Sequence, residues 1–274
     1  MTRWLLRFGY DGSAYRGWAR QPGQPTVEGT LLDRLRRSSL GRTLGSFRLD
    51  VASRTDAGVS ARANALALTS SLSAGALLRG LNGLAPSIFF TAARPIHPEF
   101  RVRAPRWREY RYFLAGDRAR SERLQTFAET FPTTLDVRSF ARGAPPDRPT
   151  FRKIEPLAVR SMGSTIRIDV RGPSFQWGMV RKIVGALVLE ERGELTTADL
   201  AAGAAGTKRL TLPLAPPDGL VLWEVHYPGR WSVVSATPSR EQAAHFQELE
   251  RALAVRRPVL RALRRVQAGR RRVR

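Results

Sequence analysis

The decisive stretch of the sequence is residues 46–69, SFRLDVASRTDAGVSARANALALT. Phe47, Leu49 and Val51 alternate with other residues over 46–52, and over 63–69 alanines at 65 and 67 alternate with leucines at 66 and 68, so both segments are predicted to be strands. Between them lies a short polar loop centred on Asp56. Loops at the end of a sheet commonly carry functional side chains. The competing interpretation is a structural turn in which aspartate and glycine only allow the chain to reverse direction.

The charge of the chain is strongly positive. Its 274 residues include 46 Lys+Arg against 23 Asp+Glu, a net charge of +23, and nearly all the cations are arginines. Guanidinium groups bind phosphates through two hydrogen bonds and stack on bases. The composition therefore favours nucleic-acid binding, and a solvated, arginine-biased surface is the alternative.

Several classes of protein are excluded or disfavoured by what the sequence lacks. It has no cysteine and only three histidines, far apart, so we expect no disulfide, no cysteine nucleophile and no metal site. The first residues lack the apolar segment of a signal peptide, and no apolar run is long enough to span a bilayer. We therefore expect a cytoplasmic protein with no membrane partner.

The predicted elements follow the order β-α-β-β-α-β twice. In the first half they are a strand at 3–10, a helix capped by Thr26, the strands at 46–52 and 63–69, a helix ending near Pro86 and a strand at 88–96. In the second half they are a strand at 108–114, a helix at 122–131, a hairpin of 152–161 and 165–171, a helix at 175–191 and a strand at 220–227. This order predicts an α+β fold of two ferredoxin-like units, whose antiparallel sheets form an RNA-binding cleft.

Three domains are expected from this pattern. Residues 1–100 form a unit that carries the Asp56 loop, residues 101–232 form a second unit, and residues 233–274 form a basic helical extension. The chain from Arg240 onward carries eleven arginines and three glutamates, a net charge of +8. We expect its helix to break near Pro258 and to dock through leucines, which are Leu249, Leu253 and Leu260. The sequence leaves open whether the arginine-rich end touches RNA or stays solvated.

Five motifs occur in an order that is typical of one enzyme family. They are Tyr10-Asp11-Gly12 with Tyr15, Gly17-Trp18 and Gln21; Arg54-Thr55-Asp56-Ala57-Gly58-Val59; Arg108-Glu109-Tyr110-Arg111-Tyr112; Phe175 with Met179-Val180-Arg181-Lys182-Ile183-Val184-Gly185; and Ala215-Pro216-Pro217-Asp218-Gly219-Leu220. Together they resemble the TruA family of tRNA pseudouridine synthases, and the resemblance covers roughly residues 8–227.

The resemblance implies isomerisation of uridine to pseudouridine in tRNA. The glycosidic bond is broken, the base turns, and C5 is joined to C1′. No redox step occurs, so no metal or organic cofactor is expected. The family also implies a homodimer that holds one tRNA across both subunits, with uridines 38, 39 and 40 of the anticodon stem-loop as targets.

The resemblance assigns roles to five residues. Asp56 is the catalytic carboxylate, Arg181 pairs with it, and Arg54 helps to displace or replace the flipped base. Tyr110 stacks on the target base and Leu220 packs against it. From the residues alone, Tyr110 and Leu220 are better explained as ordinary core residues. Arg181 equally suits a helix surface, and Arg54 suits any phosphate contact.

The chain departs from the usual bacterial pattern. Ser53 and Ser60 stand where bacterial relatives have glycine and histidine, and this form resembles the archaeal and eukaryotic branch. The segment Gln176-Trp177-Gly178 replaces a Leu-His-His stretch. These departures leave the target uridines open.

Two other functions remain as alternatives at this point. A non-catalytic protein that binds structured RNA could use the same scaffold, but it would tolerate the loss of Asp56 or Tyr110, and both are present. An RNA N-glycosidase or nuclease is disfavoured because the chain lacks a paired acid and clustered metal-binding carboxylates.

Overall fold

The computed structural model describes residues 1–144, 150–231, 233–234 and 239–269. The elements of the first half are β1 (Thr2–Tyr10), α1 (Val27–Arg37), β2 (Asp50–Val51), β3 (Ser60–Ser70), α2 (Ala74–Asn82) and β4 (Ile88–Pro95). Those of the remainder are β5 (Trp107–Ala115), α3 (Arg118–Thr130), β6 (Thr134–Asp136), α4 (Val137–Phe140), β7 (Phe151–Lys153), β8 (Ala158–Met162), β9 (Thr165–Gly172), α5 (Met179–Glu191), α6 (Thr197–Ala205), β10 (Leu220–His226), β11 (Val233–Val234) and α7 (Arg240–Gly269).

One nine-stranded sheet runs through the molecule in the order β11-β4-β1-β3-β10-β5-β9-β8, and β2 pairs with β3 beside this path. Within the first half the order is β4-β1-β3-β2, and within the second half it is β10-β5-β9-β8. In both halves the fourth strand lies beside the first, as in a ferredoxin-like unit. The predicted α+β fold is therefore confirmed.

The two halves meet at a parallel pairing of β10 with β3, where Val221 and Leu222 lie opposite Ser60 and Ala61. Farther along the same edge, β2 pairs with β3 in the antiparallel sense. Because β10 and β2 share this edge, the two expected sheets are joined into one. The domain boundaries at residues 100 and 232 stay a prediction.

The core is built from regular apolar periodicity. Helix α1 buries its apolar face, and the Thr26 side chain caps it by accepting a hydrogen bond from the Gly29 amide at 3.2 Å. Strand β9 alternates between buried and partly exposed residues, and Ile166, Ile168 and Val170 are fully buried. Each such side chain stabilises the fold by about 1.5–3 kcal/mol.

Two predicted strands are wrong in extent. The strand expected at 46–52 is only Asp50–Val51. Leu44 forms a bridge with Ser70, and Asp50 pairs with Ala67. The five residues between Leu44 and Asp50 lie opposite only two residues of β3, so they cannot all pair with it and form a loop. The strand expected at 152–161 is split into β7 and β8, because Pro156 has no amide to donate to a ladder.

Three predicted helix limits are also wrong. The helix expected at 122–131 already begins at Arg118. The helix expected at 175–191 begins at Met179, because Gly178 has a φ of +71° and is not helical. Helix α7 continues through Pro258 without the expected break. Proline removes a single hydrogen bond, and the bonds on either side hold the helix.

The docking of α7 differs from the expectation as well. Leu253 is 57% exposed and does not dock the helix, whereas Gln242 is fully buried. The side chain of Leu260 and residues 270–274 lie outside the described part of the chain. Within that part, none of the helices combines the length and the apolar character needed to cross a membrane.

Candidate active site

The loop that contains Asp56 connects β2 to β3 at the junction of the two halves. Neighbouring backbone holds it in place: the Trp18 amide donates to the Thr55 carbonyl at 3.1 Å, and the Gly58 amide donates to the Tyr15 carbonyl at 3.1 Å. The Thr55 hydroxyl also forms a buried 2.7 Å hydrogen bond with the Tyr10 hydroxyl. The segment that follows β1 therefore fixes the shape of the loop.

Gly17 makes this close approach possible. Its φ is +99°, a conformation that disfavours side chains. A Cβ atom at this position would lie 2.9 Å from the Thr55 carbonyl oxygen and 3.3 Å from the carbonyl carbon of Asp56. The glycine is therefore required both by its backbone conformation and by the space it leaves for the loop.

Asp56 forms an ion pair with Arg181, 125 residues away in sequence, and Nη1 donates to Oδ2 at 3.1 Å. The side chains are 19% and 14% exposed, so the pair is largely shielded from water but still reachable. Arg181 Nε also donates to the Ala215 carbonyl at 2.6 Å, and the Ala215 amide donates back to the Arg181 carbonyl at 3.1 Å. The guanidinium is thus held at two points and orients the carboxylate.

Tyr110 and Leu220 lie on the buried face of the sheet beside this pair. Tyr110 is opposite Leu222 and Tyr112 is opposite Leu220, so the four side chains share one face. Tyr110 is 8% exposed and meets the Phe175 ring edge-on, with centroids 5.2 Å apart. Burial raises the pKa of the Tyr110 hydroxyl and the Asp56 charge adds to this, while Arg108 and Ser53 oppose it. Tyr110 is therefore neutral at physiological pH.

The last motif closes the site from the other side. A Cβ atom on Gly58 would lie 3.2 Å from the ring of Pro217. Pro217–Gly219 forms a short 3₁₀ turn that leads into Leu220 at the start of β10. The motif at Ala215–Leu220 therefore contacts both the Asp56 loop and the guanidinium that pairs with Asp56.

Arg54 stands apart from the other predicted residues. It is exposed, and it forms neither a hydrogen bond nor an ion pair with any other residue that the structure describes. The structure thus brings Asp56, Arg181, Tyr110 and Leu220 together and leaves the Arg54 side chain at the rim, in solvent.

Arg108 was missed by the sequence analysis as a residue of the site. It is only 9% exposed and donates to the Ser53 hydroxyl at 2.9 Å and to the Ala52 and Pro173 carbonyls at 3.1 and 2.7 Å. It thereby connects the start of the Asp56 loop to the segment after β9. The available signal was a charged residue that shares a strand face with Tyr110 and Tyr112.

The arrangement offers a fixed carboxylate, a paired guanidinium and a neutral phenol at the junction of the two halves of the sheet. Over the described ranges, no group of three or more histidine, aspartate or glutamate side chains is placed to hold a metal ion. A carboxylate held in this way can act as a nucleophile or stabilise positive charge on a sugar.

The chain is also similar to known proteins of one enzyme family. A family model described as tRNA pseudouridine synthase matches residues 128–228. The tRNA pseudouridine synthase A of Methanothermobacter thermautotrophicus is 35% identical over 233 residues, which is 83% of this chain and 82% of that protein.

Two further relatives bear the same name. The protein of Thermococcus sibiricus is 34% identical over an alignment that covers 83% of this chain and 85% of that protein. That of Thermococcus gammatolerans is 31% identical and covers 91% and 94%. All three organisms are archaea, in agreement with the branch that Ser53 and Ser60 indicate. The chain therefore belongs to the TruA family of tRNA pseudouridine synthases, and it is an isomerase.

Proposed function

We propose that Asp56 is the catalytic carboxylate and that the enzyme converts uridines 38, 39 and 40 in the anticodon stem-loop of tRNA to pseudouridine. The observation that carries the first part is the Asp56–Arg181 ion pair at 3.1 Å, built from motifs that are 125 residues apart. The target positions rest on the resemblance to the family.

The reaction needs one reactive group beside the sugar. The bond between C1′ and N1 breaks, the base turns, and C5 bonds to C1′; the proton on C5 leaves and N1 gains one, so the product is an isomer. The target nucleotide must first leave its stack. Asp56 supplies the carboxylate at or near C1′, and Arg181 keeps it oriented through the second hydrogen bond to Ala215.

Tyr110 and Leu220 form the floor on which the flipped base rests. Their exposures of 8% and 5% leave a small part of each side chain accessible to a ligand. Contact with an aromatic ring is worth about 1–3 kcal/mol per base. Arg54 is exposed beside Asp56 and is free to enter the space that the flipped base vacates.

The family resemblance further supports a cytoplasmic homodimer that holds one tRNA across both subunits. Sedimentation equilibrium of the free protein tests this part. A mass close to twice the 30.5 kDa of the chain is expected. A mass of one chain at micromolar concentration contradicts it.

Pseudouridine mapping of unmodified tRNA transcripts tests the site and the targets together. Wild-type protein, Asp56→Ala and the control Asp33→Ala, which removes an exposed carboxylate on α1, are incubated with transcript in the absence of metal and cofactor. We expect pseudouridine at positions 38–40 with the wild type and the control only. Product from Asp56→Ala would exclude the carboxylate role, and product at other positions would replace the proposed targets. Tight binding without product in any sample would indicate an RNA-binding protein.

A further inference from the structure

The segment 173–178 connects β9 to α5, and both of its flanks reach the active site. On one side Phe175 contacts the Tyr110 ring. On the other, Arg181 in the first turn of α5 pairs with Asp56. Between these contacts the segment exposes Trp177, whose side chain is 55% accessible to solvent. An exposed indole offers a surface on which a nucleic-acid base can stack.

Trp177 is held in place although it is exposed. The Arg142 amide donates to the Trp177 carbonyl at 2.8 Å. The Arg142 guanidinium lies over the indole, 4.1 Å from the ring centroid. Gly178, with a φ of +71°, then turns the chain into α5. Trp177 is therefore a positioned side chain with one face on a cation and a large part of its surface in solvent.

Positive charge surrounds this tryptophan. The Lys182 ammonium donates to the carbonyls of Ser139 and Ala141 at 3.0 and 3.1 Å. Ala141 immediately precedes Arg142, so this ammonium lies near the residue that contacts Trp177. Burial lowers the pKa of Lys182, and the nearby charges of Arg209 and Arg142 lower it further. A cluster of cations next to an exposed aromatic ring suits a polyanion with planar bases far better than it suits an apolar protein surface.

We propose that Trp177 and Arg142 bind one nucleotide of the tRNA next to the target uridine. The base stacks on the open face of Trp177. Arg142 covers the other face, and its outer N–H groups bind the phosphate of the same nucleotide. Trp177 precedes Arg181, the partner of Asp56, by four residues, which span at most about 14 Å of chain, so the bound nucleotide lies close to the one at Asp56. The position of this nucleotide beside the target rests on the proposed role of Asp56 as the catalytic residue.

Binding of unmodified tRNA transcript to four variants tests the proposal. They are Trp177→Ala, Trp177→Phe, Arg142→Gln and the control Met162→Ala, which trims a side chain that is 52% exposed in the β8–β9 turn. The dissociation constant is measured at several salt concentrations, and the single-turnover rate is measured with saturating tRNA.

Stacking and phosphate binding leave different signatures. We expect Trp177→Ala to weaken binding about 5- to 150-fold, with Trp177→Phe recovering most of the loss. Because stacking releases no counterions, Trp177→Ala keeps the salt slope of the wild type, whereas Arg142→Gln lowers it by about one. The control Met162→Ala keeps the affinity, the salt slope and the single-turnover rate of the wild type. The rate at saturating tRNA separates a loss of binding from a loss of chemistry in the other variants.

Several results would overturn the proposal. They are wild-type affinity in Trp177→Ala, equal loss in Trp177→Phe and Trp177→Ala, or an altered salt slope in Trp177→Ala. A changed oligomeric state with unchanged RNA affinity would assign the surface to a protein partner instead. Absence of pseudouridine from wild-type reactions would count against the catalytic assignment, while the affinities would still decide the role of Trp177.

Discussion

Arg181 is the residue that turns Asp56 from a loop aspartate into an oriented carboxylate. Its guanidinium donates from Nη1 to Asp56 and from Nε to the Ala215 carbonyl, so the direction of the first bond is set by the second. A planar fork can make both bonds at once, and an ammonium group on a flexible stem has no such geometry.

Arg181→Lys is therefore expected to lower the turnover of pseudouridine formation with little change in tRNA affinity. A hydrogen bond to a charged group is worth about 1.5–3 kcal/mol, so the loss is about 10- to 150-fold in rate. Single-turnover kinetics with saturating transcript measure it. Wild-type turnover in Arg181→Lys would show that positive charge alone suffices.

Gly17 and Gly23 provide a matched pair of glycines with positive φ. Gly17→Ala suffers both the backbone strain and the contact with the Thr55 carbonyl, whereas a Cβ on Gly23 meets nothing within 4 Å. We expect Gly23→Ala to cost about 1 kcal/mol of stability and to keep activity. Gly17→Ala is expected to displace the Asp56 loop and to lower the reaction rate at least about tenfold, because a small displacement of a catalytic group from the reacting atoms lowers the rate strongly. Equal activity of the two variants would contradict the requirement for a glycine at position 17 beside the Asp56 loop.

At this scale the sequence predicted some contacts and missed others. The resemblance predicted that Arg181 pairs with Asp56, and Nη1 of Arg181 lies 3.1 Å from Oδ2 of Asp56. Periodicity could not reveal the links from Arg108 to Ser53 and Pro173, because these partners lie in loops whose paths depend on the whole fold. The fixed position of Trp177 depends in the same way on Arg142, which is 35 residues earlier in the chain.

At the scale of elements, α7 is attached by its first turn. Ser239 and Gln242 form reciprocal capping bonds, at 2.9 Å from the Ser239 amide and 3.1 Å from the Gln242 amide. The Gln242 side chain also donates to the Ile88 carbonyl at 2.9 Å and to the Asn82 side chain at 3.1 Å. One buried glutamine therefore both starts the helix and fastens it to β4 and α2.

Gln242→Ala is expected to release the start of α7 and to cost about 1–3 kcal/mol, because the Ile88 carbonyl loses a buried partner. Hydrogen exchange of the amides over 240–254 measures the release, and urea unfolding measures the stability. Gln247→Ala, an exposed site on the same helix, is the control. Unchanged protection in Gln242→Ala would mean that Phe246, against Phe89, holds the helix instead.

Strands with a long apolar pattern were predicted well. The ends of elements were predicted poorly where a single proline or glycine interrupts the structure. Strands β1, β3, β4, β5 and β9 were expected within a few residues of where they lie. Pro156 cannot donate a hydrogen bond to a sheet, so it separates β7 from β8. Gly178 has a non-helical backbone, so α5 begins after it. The elements β6 and α4 were not predicted, because three or four residues carry too little periodicity. Helix α6 was missed because its alanines and glycine give little contrast between its faces.

For the whole molecule, the decisive feature is the pairing of β10 with β3. It involves two residue pairs, and it places the start of β10 beside the start of β3, the strand that follows the Asp56 loop. No local pattern encodes so short a parallel contact, so the sequence predicted two sheets but not their fusion. The fusion is what brings the motif that ends at Leu220 to the Asp56 loop.

The net charge of +23 predicts a strong dependence of tRNA affinity on salt. If about six phosphates are neutralised, the dissociation constant rises about 10³-fold between 50 and 200 mM salt. Filter binding across this range measures the slope, and the thermal midpoint over the same range controls for unfolding. A flat response would contradict a phosphate-binding groove.

The central claim is that the Asp56 carboxylate performs the chemistry while the surrounding groups position it. The most direct test is the single-turnover rate of pseudouridine formation by Asp56→Asn, which keeps the size and shape of the side chain, with tRNA affinity measured in parallel. We predict no detectable isomerisation together with affinity within about threefold of the wild type, because the loss is confined to the reacting group. Isomerisation by Asp56→Asn at a rate near that of the wild type would contradict the account.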